Sequence, residues 1–279
     1  MVINNMAISE LPINRKSEFK YLIKYRWKSL LILGGILFLF SLPLFASLLI
    51  KDLKAISIVT TAESDNELST LIINDMFYAV FIVPSIVVLF IGLSGFYRII
   101  RNYIWAEGVL LKHDFFIGIK QNWKHFVING IIFSLLYYAI YISTLYINVP
   151  FVKYLPLAFC VLFIYPVILV HMNLTVVYKN SYLTQFKNAF ILYVKRIYIY
   201  FPLFLLFAVI PIILMVLPIP LIVKYIILFV FIYFFIPFYV LGFSVFSTYV
   251  FDENINKGNH QELYKKGLFW FLVSDKKIQ

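Results

Sequence analysis

The sequence predicts an all-α protein of the polytopic membrane class, a bundle of six transmembrane helices arranged as three helical hairpins with cytoplasmic amphipathic entry helices. Three observations predict it. The 279 residues are 63% hydrophobic and only 13% charged, whereas a soluble domain is typically about half apolar and one quarter charged. The excess falls in runs of about twenty residues, long enough at 1.5 Å per residue to cross a hydrocarbon core of roughly 30 Å. Basic residues gather in alternate connections between those runs.

The spans fall at about 30–50, 72–97, 127–147, 151–177, 197–217 and 222–249, and the whole chain reads as a single integral membrane domain. The second, fourth and sixth runs exceed the minimum length and should tilt or overshoot into water. The first 28 residues are too charged for a signal peptide, and the run that follows is long enough to stay as an anchor.

Orientation follows from Lys and Arg. The N-terminal segment, the second-to-third and fourth-to-fifth connections and the tail hold all 24 of them except Lys51, Lys54, Lys153 and Lys224. The positive-inside rule then places both termini in the cytoplasm. A composition rich in Ile, Phe, Tyr, Lys and Asn suits a bacterial genome, so the expected location is the bacterial plasma membrane. The net charge of +11 is explained by anionic head groups of the lipid bilayer, and no nucleic-acid partner is expected. Trp27, Trp105, Trp123 and Trp270 all lie on the basic side, as an interfacial aromatic belt does. The first outer connection is acidic, with Asp52, Glu63, Asp65 and Glu67, and the others are little more than turns.

Three spans are preceded by similar segments. Phe19, Ile23, Trp27 and Leu30, then Phe115, Ile119, Trp123 and Phe126, then Phe186, Phe190, Val194 and Ile197 each form one apolar helical stripe. Lysines run beside each stripe, and Ser17, Asp114 and Thr184 stand as candidate N-caps. Such helices should lie in the interface or enter it at a slant.

Few residues offer chemistry. His171, Asn173 and Thr175 are the intramembrane polar cluster of the fourth span; ionisable groups in a membrane point to function by default, but their place near the cytoplasmic end suits interfacial packing. Asp75 should be wet. The four histidines show no zinc spacing, the single Cys160 excludes a thiol metal site, and no phosphate-cradling loop is present. Neither catalytic residues, nor a metal, nor a cofactor is therefore expected, and the chain does not read as an enzyme. Arg98, Glu107, Asp114 and Lys120 are the candidate network for fixing the main cytoplasmic loop or meeting a partner. Prolines and glycines interrupt several spans, as in transporters and in closely packed bundles alike.

The stretch 92–126 resembles the YesL-like family of bacterial membrane proteins, a domain of unknown function. The residues that carry the resemblance are Gly92, Ser94, Gly95, Tyr97 and Arg98, then Glu107, then Asp114, Phe115, Phe116, Gly118, Lys120, Asn122, Trp123 and Lys124. It continues through Tyr165 and Pro166, Phe186 to Ala189, and a tail with Phe251, Asp252, Tyr264, Lys266 and Gly267, over about residues 30–270. The chain departs from the family in residues 171–178, where relatives are more acidic, and in a longer first outer loop. The resemblance implies a multi-spanning protein that accompanies carbohydrate uptake, as a component of or accessory to solute transport, with other transport-system subunits as partners. The competing expectation is a non-transporting scaffold or regulator that binds a cytoplasmic partner through its amphipathic loop helices. Wet polar residues inside the bundle would favour the first, a dry bundle with an exposed groove the second.

Overall fold

A computed structural model describes residues 11–61, 67–147, 149, 151–216 and 219–269. The described chain is helical throughout: α1 (Arg15–Thr61), α2 (Glu67–Ile104), α3 (Leu111–Tyr146), α4 (Val152–Val177), α5 (Tyr182–Lys195), α6 (Ile197–Val216) and α7 (Leu221–Asn259). Among the described residues five helices are long and apolar enough to cross a membrane on their own, or up to six if α5 and α6, bent by 102° at their junction, are taken as one span. The polytopic helical bundle is as the composition predicts.

The entry segments differ from the expectation. α1 has 47 residues and α3 has 36, roughly 70 and 54 Å of continuous helix, so their entry segments are the overshooting ends of the spans themselves. Only the third, α5, is a separate amphipathic helix. The stripes differ accordingly. Leu30, Phe115 and Phe126 are buried in the bundle core, whereas Phe190, Val194 and Ile197 are exposed. An apolar stripe says that a face is dry; in α1 and α3 protein dries it, and in α5 the surroundings must.

The helix starts also lie one turn earlier than expected. Asn14 caps α1, its side chain accepting from Ser17 N at 2.8 Å, while Ser17 Oγ accepts in turn from Asn14 N and Ile13 N. Ser181, not Thr184, caps α5. Asp114 sits within the first turn of α3, and its carboxylate accepts from Leu110 N at 2.8 Å.

α1, α2 and α3 pack side by side in sequence, α4 lies against α2 and α3, and α7 lies against α1 and α2. Without a hydrophobic driving force between helices in lipid, close backbone approach and satisfied polar groups hold such a bundle. Two prolines illustrate how. Each removes the helical donor to the carbonyl four residues earlier, and each follows a widened π-turn. The carbonyl of Leu162, deprived by Pro166, accepts from the Tyr193 hydroxyl of α5. The carbonyl of Tyr233, deprived by Pro237, faces Gly34 of α1 so closely that a Cβ there would stand 2.1 Å from it.

The alternating connections segregate to the two ends of the bundle. The end formed by the start of α1, the α2–α3 and α4–α5 junctions and the segment after α7 carries most of the cations and is called the basic end below. At the opposite end Lys51 pairs with Asp75 at 3.1 Å and Lys224 with Asp52 at 2.5 Å. Asp75 is thus paired and half-buried where the sequence suggested a wet carboxylate. Glu63 and Asp65 lie outside the described residues, as does Trp270.

Candidate functional site at the basic end

Many of the polar side chains that the bundle buries lie toward the basic end, and one set of them is bonded together across helices. At its outer edge Arg15, Glu18 and Asp252 form a buried triad. The guanidinium donates from Nη1 to Glu18 at 2.8 Å, and from Nη2 and Nε to Asp252 Oδ2 at 2.8 and 3.2 Å. Forked geometry of this kind suits Arg and not Lys. Asp252 Oδ1 accepts from Asn256 Nδ2 at 2.9 Å and from Lys265 N at 3.2 Å. Asn256 Oδ1 then accepts from the Tyr178 hydroxyl at 2.6 Å. Gln185 donates to the Tyr178 carbonyl at 2.6 Å and accepts from Thr175 Oγ1 at 2.9 Å. The chain of contacts joins α1, the α4–α5 junction and the end of α7.

One turn deeper, His171 is fully buried. Its Nδ1 lies 2.9 Å from Asn129 Nδ2 of α3, and Tyr182 of α5 donates to Asn129 Oδ1 at 2.9 Å. With the amide so oriented, Nδ1 is an acceptor and the imidazole is the neutral tautomer protonated at Nε2. The His125 ring stacks parallel to it, centroids 5.8 Å apart. His171 Nε2 and His125 Nδ1 are buried with no partner among the described residues. Interfacial packing thus gives way to a fully buried role for His171, and Asn173 and Thr175 are buried with it.

The triad holds one cation and two carboxylates. Glu18 lies about three helical turns before the apolar crossing run of α1, outside the membrane-spanning stretch. Burial pushes its carboxyl up to about 7, against the opposing pull of Arg15.

Arg98, Glu107, Asp114 and Lys120 do not form one network. Glu107 pairs with Lys266 at 2.7 Å and with Arg101 at 3.5 Å. Arg98 donates to Gln121 at 2.7 Å. Asp114 serves the start of α3, and Lys120 is exposed and enters no ion pair among the described residues. The centre is Arg101, which lies outside the four expected residues: it also donates to the Val176 carbonyl at 3.0 Å and lies over Trp105, with Lys266 against the same ring, at 4.5 and 4.2 Å. Trp105 is therefore held by two cations rather than standing free in an interfacial belt; Trp27 and Trp123 are the half-exposed pair that suits one. Gly267 closes the cluster at φ +89°, where a Cβ would meet the Ile104 carbonyl at 2.0 Å.

Many residues that carry the sequence resemblance meet here. Gly95 and Gly118 bring α2 and α3 into contact beside Phe115 and Arg98, Asn122 donates to the Gly118 carbonyl, and Asp252, Lys266 and Gly267 bind the last segment back. Comparison with known protein families, curated proteins and solved structures gives no match for the chain.

The residues that sequence reasoning missed are Arg15, Glu18, Asn129, Tyr178, Gln185 and Asn256. Asn129 carried a signal, a carboxamide inside an apolar run. The pairing of Arg15 with Asp252, across nearly the whole chain, carried none. Chemically the arrangement fixes helix ends; it presents no activated nucleophile, and among the described residues no group of three or more potential ligands could hold a metal.

Proposed function

We propose that the protein is a bacterial plasma-membrane accessory of solute transport, of the YesL-like type, which binds a partner at its basic, cytoplasmic end and does not itself conduct solute or catalyse a reaction. The observation that carries this reading is the clamp, the run of bonded side chains from Arg15, Glu18 and Asp252 through Asn256 and Tyr178 to Gln185 and Thr175. Its polar groups are spent on one another, so they tie both ends of the chain into one platform instead of lining a wet path. A pocket inside the bundle, between α2, α4 and α7 and lined by Tyr97, Asn173 and Ser244 among others, measures about 10 Å³, room for a single water. The 680 Å³ hollow lies outside, on the basic end. The distribution of Lys and Arg supports the orientation: of the 24 only Lys51, Lys54, Lys153 and Lys224 stand at the far end.

The test has two arms. Purified protein in liposomes should take up no sugar, while protein extracted in mild detergent should retain a transport ATPase or solute-binding subunit. Uptake by the protein alone overturns the accessory reading. Normal sugar uptake in a deletion strain, with no transport subunit retained, removes the link to transport and leaves the scaffold or regulator reading.

A further inference from the structure

The 680 Å³ hollow at the start of α3 is an open groove. Leu110, Phe116 and Ile117 form its apolar floor and Lys112, His113 and Lys120 its rim. Leu110 is 71% and Phe116 57% exposed. Among the described residues Lys112 and Lys120 enter no ion pair, and the nearby carboxylate of Asp114 is engaged by Leu110 N and His113.

Its height decides what can fill it. The apolar crossing run of α3 begins at Val127, and exposed Lys120, Gln121 and Lys124 separate that run from the groove. At 1.5 Å per residue Leu110 and Phe116 stand roughly 25 and 16 Å beyond Val127. A steep 40° tilt still leaves roughly 19 and 13 Å. The head-group layer accounts for only about 5–8 Å on each side, so acyl chains do not reach the floor. Apolar side chains held in water beside unpaired cations offer an amphipathic partner a seat, and the cationic rim selects an anionic occupant.

We infer that this groove is the docking site for an acidic amphipathic helix of a water-soluble partner domain. Apolar side chains of that helix at i, i+3 and i+4 would lie on Phe116 and Ile117, with carboxylates toward Lys112 and Lys120. The inference rests on the reading of the basic end as the partner-facing end and supplies the partner's chemistry.

The test uses a designed helical peptide with Leu on one face and Glu on its flanks, and protein held in zwitterionic nanodiscs. Fluorescence anisotropy should report binding that falls at least tenfold with Phe116→Ser and with Lys112→Glu plus Lys120→Glu. A charge-swapped Lys peptide should bind the double variant and not the parent. These residues are exposed, so the variants retain the fold, checked by an unchanged melting profile. Equal binding to parent and variants overturns the proposal. Loss of binding in anionic nanodiscs assigns the groove to lipid and overturns it, as does binding that appears only after residues 270–279 are removed, which assigns it to the chain itself. If the natural partner is still retained in detergent by the groove variants, the groove is removed and the accessory function stands.

Discussion

Arg15 ties the start of α1 to the end of α7 at the basic end. Its two carboxylate partners are 2% and 4% exposed, so Arg15→Gln leaves both without compensation. Removing one partner of a buried ion pair costs about 3–5 kcal/mol, and unfolding in mixed detergent should show a loss of that order. Restoring neutrality with Glu18→Gln and Asp252→Asn in the same chain should recover most of it; a triple variant as unstable as the single one would contradict the triad. The pH dependence follows from Glu18, whose carboxyl, facing only Arg15 and Asp252 as charged groups, is raised from 4.5 to about 7. An acid raised on folding binds its proton more tightly in the folded state. Its contribution is full below the unfolded value near 4.5 and is lost as pH rises through about 7. The folded protein should therefore gain stability between pH 8 and 5, and Glu18→Gln should flatten that gain. At this scale the sequence exposed which residues are out of place in a membrane, His171 and Asn173 among them. Their partners lie on other helices, and spacing along one helix cannot name them.

Among the elements, the helices that could cross a membrane were legible because each carries a long, predominantly apolar run, and α5 because its stripe faces outward. The entry stripes of α1 and α3 looked the same as that of α5 but face protein. Phe115 and Phe190 separate the two cases. Phe115→Asp should destabilise the whole bundle by about 3 kcal/mol or more, since it buries an unpaired carboxyl. Phe190→Asp should leave the detergent unfolding profile within about 0.5 kcal/mol and weaken only the contact of α5 with its surroundings, read as faster hydrogen exchange in that helix. Equal effects would mean that both stripes face the same medium. The α1–α7 crossing offers a sharper pair. A Cβ on Gly34 collides with the Tyr233 carbonyl, while one on Gly35 meets the Tyr233 ring at an ordinary 3.5 Å. Gly34→Ala should cost about 1–3 kcal/mol by overpacking, and Gly35→Ala next to nothing. The two glycines are indistinguishable in the sequence, because only the three-dimensional crossing says which one meets backbone.

For the molecule as a whole, sidedness underlies the proposed function: the clamp, the groove and the proposed partner-facing surface all sit at the basic end. The split of Lys and Arg was legible from the first reading, and the fold brings those segments together. What faces what within that end was not legible, since the clamp closes through residues 15, 18, 252 and 256, near opposite ends of the chain. The one native cysteine, Cys160, is buried in α4, so single cysteines introduced elsewhere report cleanly. The direct measurement is labelling by a membrane-impermeant maleimide of Val59→Cys, at the exposed far end of α1, and of Gln261→Cys, exposed after α7. In intact cells position 59 should label and position 261 should react only after permeabilisation. Labelling of position 261 in intact cells would turn the protein over and take the basic end away from any cytoplasmic partner.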